Sequence, residues 1–145
     1  MKGASAACLF LLLVFADCGK STSGPSTAEG KWTYTTPDSK ISITFDLIKS
    51  ASGSYEIQNQ ALKIDGTQCM NGICESVAEM TGVGLPDIAS IRINANDPKA
   101  TYPYYIKFLN AKVSSDFKRI DVASGEYTFP WGTTKTLAAV AIVRP

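Results

Sequence analysis

Ile41-Ser42-Ile43-Thr44-Phe45-Asp46-Leu47 is the stretch that decides the fold, because apolar and polar side chains alternate through it without a break. Successive side chains of a β-strand point to opposite faces, so this pattern predicts a strand with one dry face and one face in water. A surface helix would instead place its apolar residues three and four positions apart. The stretch therefore predicts an antiparallel β-protein.

The alternation continues on the other side of a turn at Gly53-Ser54. Tyr55 and Ile57 keep the pattern, but Leu62 lies on the opposite parity. A shift of one residue moves every later side chain to the other face of a strand unless an extra residue is accommodated. We therefore predict a bulge or break near Asn59-Gln60.

Turn-forming residues divide the rest of the chain into similar short strands. We predict strands at 32–36, 88–95, 104–113, 117–124 and 137–143. Only residues 74–81, with Val77 and Met80 three positions apart, favour a helical turn or two. Residues 31–145 are long enough for one domain with its own core. The sequence therefore predicts an all-β domain, an antiparallel β-sandwich of about seven strands, with a small β-barrel as the alternative.

The first 17 residues have the pattern of a signal peptide, with Lys2 before an apolar run that is too short to span a bilayer. The run ends in Phe15-Ala16-Asp17-Cys18, which resembles the lipobox of bacterial lipoproteins. The resemblance implies that Cys18 is lipidated, becomes the new N-terminus and anchors the chain in the membrane of the bacterial cell envelope. The alternative is cleavage after Ala16, which would leave a secreted soluble chain.

Residues 18–30 contain almost nothing to bury, and we predict a flexible tether behind the lipidated cysteine. Some lipoprotein groups carry an acidic run after the cysteine as a surface-export signal. Gly19-Lys20-Ser21 has no such run, so the resemblance implies a periplasm-facing anchor.

Charge and composition exclude several classes of function. The 145 residues carry 14 basic and 13 acidic side chains, a net charge of +1, and no His. The charges are scattered, so nothing attracts nucleic acid. Without His the usual general base for a Ser or Cys nucleophile is missing, and we predict neither a catalytic site nor a cofactor. Asn94, Asn96 and Asp97 lack the Gly and distal Glu of a calcium loop, so we interpret them as a turn and predict no metal site.

Cys69 and Cys74 flank Asn71-Gly72, a tight-turn pair that brings two sulfur atoms together. In an oxidising envelope this spacing predicts a disulfide. A redox-active pair is the alternative, but it would favour the closer Cys-x-x-Cys spacing.

Two stretches place aromatic residues beside proline at strand ends, and they are Tyr102-Pro103-Tyr104-Tyr105 and Phe129-Pro130-Trp131-Gly132. Exposed aromatic rings on a rigid scaffold stack on sugars or anchor a protein partner. Tyr102, Tyr105 and Trp131 are therefore our candidate binding surface. The alternative is that Tyr104 and Phe129 belong to the core and the other rings cap the sheet. The functional hypothesis is a non-catalytic binding or structural module for an envelope protein or glycan.

Gly30-Lys31-Trp32 at the start of the domain, together with Arg144 near its end, resembles the lipocalin superfamily. In lipocalins the Trp of a Gly-x-Trp motif closes the barrel against a late Arg. This resemblance implies the lipocalin-like barrel as the alternative fold and carriage of a small apolar ligand as the alternative function.

Overall fold

A computed structural model describes residues 24–70 and 74–145, and in these residues the protein is all-β, as predicted. The strands are β1 (Gly30–Thr35), β2 (Ile41–Lys49), β3 (Tyr55–Ile64), β4 (Thr67–Met70), β5 (Glu75–Gly84), β6 (Asp87–Asn96), β7 (Tyr104–Val113), β8 (Arg119–Thr128), β9 (Thr134–Leu137) and β10 (Val140–Val143). The predicted signal peptide, Cys18 and the first part of the predicted tether lie outside the described residues. The described residues contain no helix long and apolar enough to cross a lipid bilayer.

All the strands belong to one antiparallel sheet, in the order β4-β3-β2-β1-β10-β8-β7-β6-β5, with β9 also paired to β8. The sheet curls until β3 approaches β5, and the Gln60 side chain donates a hydrogen bond to the Ser76 carbonyl across this seam at 2.8 Å. The described chain thus holds ten strands where about seven were expected. The nearly closed sheet is also compatible with the barrel alternative.

The bulge predicted near Asn59-Gln60 is confirmed. The register between β2 and β3 shifts between Thr44 and Asp46. On β3, Asn59 has a left-handed φ of 51°, and its side-chain amide donates to the Asp46 carboxylate at 2.8 Å. Asn tolerates this conformation better than most residues, so the bulge keeps apolar residues inward on both sides of it.

The helical turn predicted for residues 74–81 is wrong, because β5 begins at Glu75 and pairs with β6 along its length. Val77 is 40% exposed, whereas Met80 packs against the core. The two residues therefore lie on different faces of a strand instead of sharing a helical stripe. Pairing with β6 overrides a weak local pattern.

The core fills the inward face of the curled sheet. Ile41, Ile43, Phe45 and Leu47 are buried as the alternation predicted. From the opposite wall Phe108 meets Tyr34 edge to face, with ring centres 5.7 Å apart. The largest fully buried side chains include Trp32, Tyr104, Phe45, Phe108, Ile43, Leu47, Leu62, Ile64, Ile88, Ile91, Ile93 and Ile106.

The strands sort the connecting loops into two groups at opposite ends of the barrel-like sheet. The distal end comprises residues 36–40, 65–66, 97–103 and 129–133. The terminal end comprises residues 50–54, 85–86 and 114–118, together with the start of β1 and the end of β10.

Residues 27–30, which the sequence assigned to the tether, lie against the domain at the terminal end. Ala28 is fully buried, and its carbonyl oxygen accepts a 3.0 Å hydrogen bond from the Trp32 indole nitrogen. Arg144 Nη2 donates to the carbonyl oxygens of Thr27 and Glu29 at 2.5 and 2.6 Å. These bonds fix the chain before β1 begins.

Candidate functional site

Two loops of the distal end bring Tyr102 and Trp131 together. The Tyr102 amide donates to the Pro130 carbonyl at 2.9 Å. The Tyr102 ring covers Gly132, where an added Cβ would lie 3.2 Å from Tyr102 Cδ2 and where φ is 92°. Tyr102 and Trp131 are 53% and 51% exposed, so both rings are available to solvent and to partners.

Trp131 is held from one side by Phe129. The two rings stack with their centres 4.5 Å apart and an angle of 10° between their planes. Phe129 is buried and meets Tyr127 edge to face at 5.2 Å, so it supports the indole from within the domain. A 2.8 Å hydrogen bond from the Phe129 amide to the Thr133 carbonyl closes the turn. One face of Trp131 is therefore fixed, while about half of the side chain remains uncovered.

A cleft of about 430 Å³ lies beside Trp131, and we call it the distal cleft. Its walls come from β4, from the loop after β6 and from the turn after β8. The lining residues are Thr67, Gln68, Asp97, Lys99, Ala100, Thr101, Pro130 and Trp131. Hydroxyl, amide, carboxylate and ammonium groups thus surround one aromatic ring.

Asp97 organises the loop that forms one wall of the distal cleft. Its carboxylate accepts a 2.8 Å hydrogen bond from the Lys99 amide, and its carbonyl accepts one from the Ala100 amide at 3.0 Å. These contacts confirm the predicted turn for Asp97, whereas Asn94 and Asn96, which the sequence assigned to the same turn, belong to β6. Within residues 24–70 and 74–145, no three acidic or cysteine side chains lie close enough together to hold a metal ion.

Tyr104 lies beneath this loop, with its ring fully buried. Its hydroxyl has no hydrogen-bond partner within the described part of the chain. Burial, and next the negative charge of Asp97, raise the pKa of Tyr104 to about 12. The group therefore remains a neutral hydrogen-bond donor at physiological pH.

Tyr105, the third residue of the candidate surface, lies on the outer face of β7. Its ring centre is 4.2 Å from the guanidinium carbon of Arg92, and its hydroxyl donates to Glu126 at 3.0 Å. The Arg92 Nε in turn donates to the Asn94 side chain at 2.7 Å. The structure therefore brings Tyr102 and Trp131 together and gives Tyr105 a separate set of polar contacts.

The Cys69–Cys74 disulfide is confirmed, with the two Cα atoms 5.4 Å apart. Cys69 belongs to β4 and Cys74 precedes β5, and these strands are the two ends of the sheet order. The bond therefore links the two free edges of the sheet. It also follows Thr67 and Gln68, which line the distal cleft.

The sequence pointed to Trp131 but not to Thr67, Gln68 or Lys99 as its neighbours. Turn chemistry and proline-aromatic pairs marked the loop that carries Trp131. Thr67 and Gln68 reach the same cleft only because the sheet curls, and no local pattern reports that closure.

Comparison with protein-family models, with curated proteins and with solved structures finds no match for this chain.

Proposed function

We propose that this protein is a non-catalytic, lipid-anchored module of the bacterial cell envelope that binds a glycan at the distal cleft. The observation that carries the proposal is the half-exposed Trp131 ring, fixed on Phe129 at the edge of a polar cleft. A ring held in place loses little conformational entropy when a ligand stacks on it.

The chemistry around Trp131 favours a sugar over an apolar ligand. Sugar rings present C–H groups that stack on an aromatic face, and hydroxyl groups that both donate and accept hydrogen bonds. The distal cleft offers the hydroxyls of Thr67 and Thr101 and the ammonium of Lys99 from the walls that face Trp131. A cleft of about 430 Å³ falls in the range of about 300–1,000 Å³ that is typical of small-ligand sites.

The alternative function, a lipocalin-like carrier, is favoured by the contact between Arg144 and Trp32. The Arg144 guanidinium carbon lies 4.9 Å from the centre of the Trp32 ring, the pairing that the resemblance implies. A carrier of this type needs room inside the barrel for its ligand. Trp32, Phe45 and Phe108 instead pack the inward face of the sheet, and this packing favours the surface site.

The anchor in this proposal rests on the signal-like first 17 residues and on Cys18. Several acyl chains, each stabilised by about 0.8 kcal/mol per buried CH₂, would hold the chain stably at a membrane. Mass spectrometry of protein made in a lipoprotein-processing host should show an acylated N-terminal cysteine, and Cys18→Ser should release the chain from the membrane. An unmodified Asp17 at the mature N-terminus would contradict the anchor and leave the secreted alternative.

Glycan binding is tested with the purified domain on a panel of bacterial envelope polysaccharides and their oligosaccharides. We expect Trp131→Ala to weaken binding at least fivefold, taking as a guide the stacking of nucleic-acid bases on aromatic side chains, which is worth about 1–3 kcal/mol. Tyr105→Phe is the matched control, since it alters an aromatic residue outside the distal cleft. Thermal denaturation of each variant shows whether the fold is intact.

Two results would count against the glycan proposal. The first is a domain that retains no glycan from the panel but captures a defined envelope protein through Trp131. The second is a Trp131→Ala variant that melts several degrees lower while its folded fraction still binds the glycan as tightly as the parent chain, which would make Trp131 structural.

A further inference from the structure

The wall of the barrel is interrupted between β1 and β9, at a place separate from the distal cleft. Thr33 with Val143 is the one residue pair that joins β1 to β10 in the described part of the chain. Two short strands, β9 and β10, pair with the same edge of β8. β9 ends at Leu137 and β10 begins at Val140, so there is a break between them along that edge. Past Thr33 the edge of β1 therefore has no paired strand in the described residues.

This gap opens into a cleft of about 490 Å³, which we call the lateral cleft. Its residues come from β1, from the loop that leads into β2 and the first residue of β2, from the end of β8 and the turn after it, and from β9 to the start of β10. They are Tyr34, Thr36, Pro37, Asp38, Lys40, Ile41, Tyr127, Phe129, Lys135, Leu137, Ala138 and Val140. Trp131 is not among them, so the lateral cleft is distinct from the distal cleft.

The floor of the lateral cleft is apolar and largely aromatic. Ile41, Tyr34 and Phe129 are buried, and Leu137 and Val140 pack against the core from partly exposed positions. Tyr127 meets Phe129 edge to face across this floor. Planar rings pack well against such walls, because aromatic pairs gain from edge-to-face and offset contacts beyond the burial of their surface.

The rim of the lateral cleft carries one more positive than negative charge. Lys40 and Lys135 supply two ammonium groups, and Asp38 supplies one carboxylate. That carboxylate already accepts hydrogen bonds from the Thr36 hydroxyl at 2.5 Å and from the Lys40 amide at 3.1 Å, and these bonds lower the pKa of Asp38. The Lys135 ammonium lies 5.3 Å from the centre of the Phe129 ring, directly beside the floor.

Tyr34 adds a hydrogen-bond donor at the inner end of the cleft. Burial, and then the charge of Asp38 and the neighbouring Tyr127, raise the pKa of Tyr34. The hydroxyl therefore stays protonated in the pH range of the cell and offers a donor, as the two lysines do.

We infer that the lateral cleft is a second binding site, and that its ligand is a small aromatic anion with one carboxylate or sulfonate group. The aromatic floor takes the rings, and the excess of positive charge with the Tyr34 hydroxyl takes the anionic group. The volume fits a molecule of drug-like size. This site does not depend on glycan binding at Trp131.

The test uses two fluorescent probes that differ only in the anionic group, 8-anilinonaphthalene-1-sulfonate and N-phenyl-1-naphthylamine. Each is titrated into the folded domain near neutral pH and low salt. We expect the sulfonate to bind at least fivefold more tightly than the uncharged amine. We expect Lys135→Gln to weaken sulfonate binding by up to about fivefold, since an ion pair at an exposed lysine is worth up to about 1 kcal/mol.

Three further variants locate the site. Leu137→Glu places a carboxylate beside the floor and should abolish sulfonate binding, while Lys112→Gln removes an exposed lysine from the outer face of β7 and should change nothing. Thr101→Ala, at a residue that lines the distal cleft and not the lateral cleft, should leave sulfonate binding unchanged, whatever becomes of the glycan. Equal affinity for both probes would overturn the inference, as would sulfonate binding that Lys135→Gln and Leu137→Glu leave intact.

Discussion

The guanidinium group of Arg144 lies over the Trp32 ring, 4.9 Å from the ring centre, and the same group hydrogen-bonds the carbonyl oxygens of Thr27 and Glu29. The Arg144 side chain therefore holds both the Trp32 ring on β1 and the backbone that leads into β1. This contact reinforces the junction of β1 with β10, where a single residue pair joins the strands.

Arg144→Ala should lower the free energy of unfolding by about 1–3 kcal/mol, the sum of a cation–π contact and charge-assisted hydrogen bonds at a partly buried site. The matched control is Arg119→Ala. Arg119 pairs with Asp121 at 3.0 Å, but both side chains are more than half exposed, so its loss should cost less than about 1 kcal/mol. Chemical denaturation of both variants makes the comparison. Equal losses would show that Arg144 adds nothing beyond a surface charge.

Replacement of both Cys69 and Cys74 by Ser should lower stability by about 2 kcal/mol, because the bond closes only a short loop. The fold should survive, since β4 and β5 are each paired to another strand over their length. Thiol titration of the unreduced domain should find no reactive sulfur at either position. Free thiols at both positions, in protein prepared without reductant, would argue against the disulfide.

The alkaline stability of the domain should depend on Tyr104. Its folded-state pKa of about 12 lies above the ordinary value of 10.0, so ionisation favours the unfolded chain. The stability that this group contributes is fully present below pH 10 and is lost as the pH rises towards 12. Tyr104→Phe should therefore reduce the loss of stability over that interval, measured by denaturation at several pH values.

At neutral pH the same Tyr104→Phe change should leave stability unchanged or raise it by up to about 1 kcal/mol, because it removes a buried hydroxyl without a partner in the described chain. Tyr102→Phe, at an exposed side chain, is the control and should follow the parent curve. A large loss of stability in Tyr104→Phe at neutral pH would mean that the hydroxyl is satisfied in solution.

Gly125 allows β8 to approach β7 closely. A Cβ at this position would lie 2.5 Å from the Lys107 carbonyl oxygen and 3.5 Å from Leu137. Gly125→Ala should therefore destabilise the domain by about 1–3 kcal/mol, as overpacking does elsewhere. Gly84→Ala is the matched control, because no atom lies within 4 Å of its added Cβ. Similar melting temperatures for the two variants would show that the strands separate without cost.

The parts of the fold that depend on local alternation could be predicted from the sequence. Residues 41–47 alternate cleanly, and the change of parity at Leu62 identified the bulge at Asn59. Val77 and Met80 led to a wrong prediction because residues three positions apart share one face of a helix. The pairing of β5 with β6 instead makes this segment a strand, in which the two residues lie on opposite faces. Periodicity describes one strand at a time, so it does not report which strand becomes its neighbour.

The two clefts differ in how far the sequence could reveal them. Trp131 was accessible because its Pro-Trp-Gly context marks a turn. The lateral cleft arises where Ala138 and Ala139 separate β9 from β10 while β1 lies across the gap, and these segments are about a hundred residues apart. Such an arrangement depends on long-range packing, and neither Tyr34 nor Lys135 lies in a sequence motif that predicts the cleft.

The start of β1 and the end of β10 lie together at the terminal end of the barrel-like sheet, opposite the end that carries Trp131. Strands of ten residues, each rising about 3.3 Å and tilted as in small barrels, separate the terminal end from the distal end by about 25 Å. A domain suspended from the chain that precedes Gly30 would thus turn Trp131 outward, away from its support. A reporter fused after Pro145 would sit beside that support, so fluorescence quenching by a labelled bilayer would read the orientation directly.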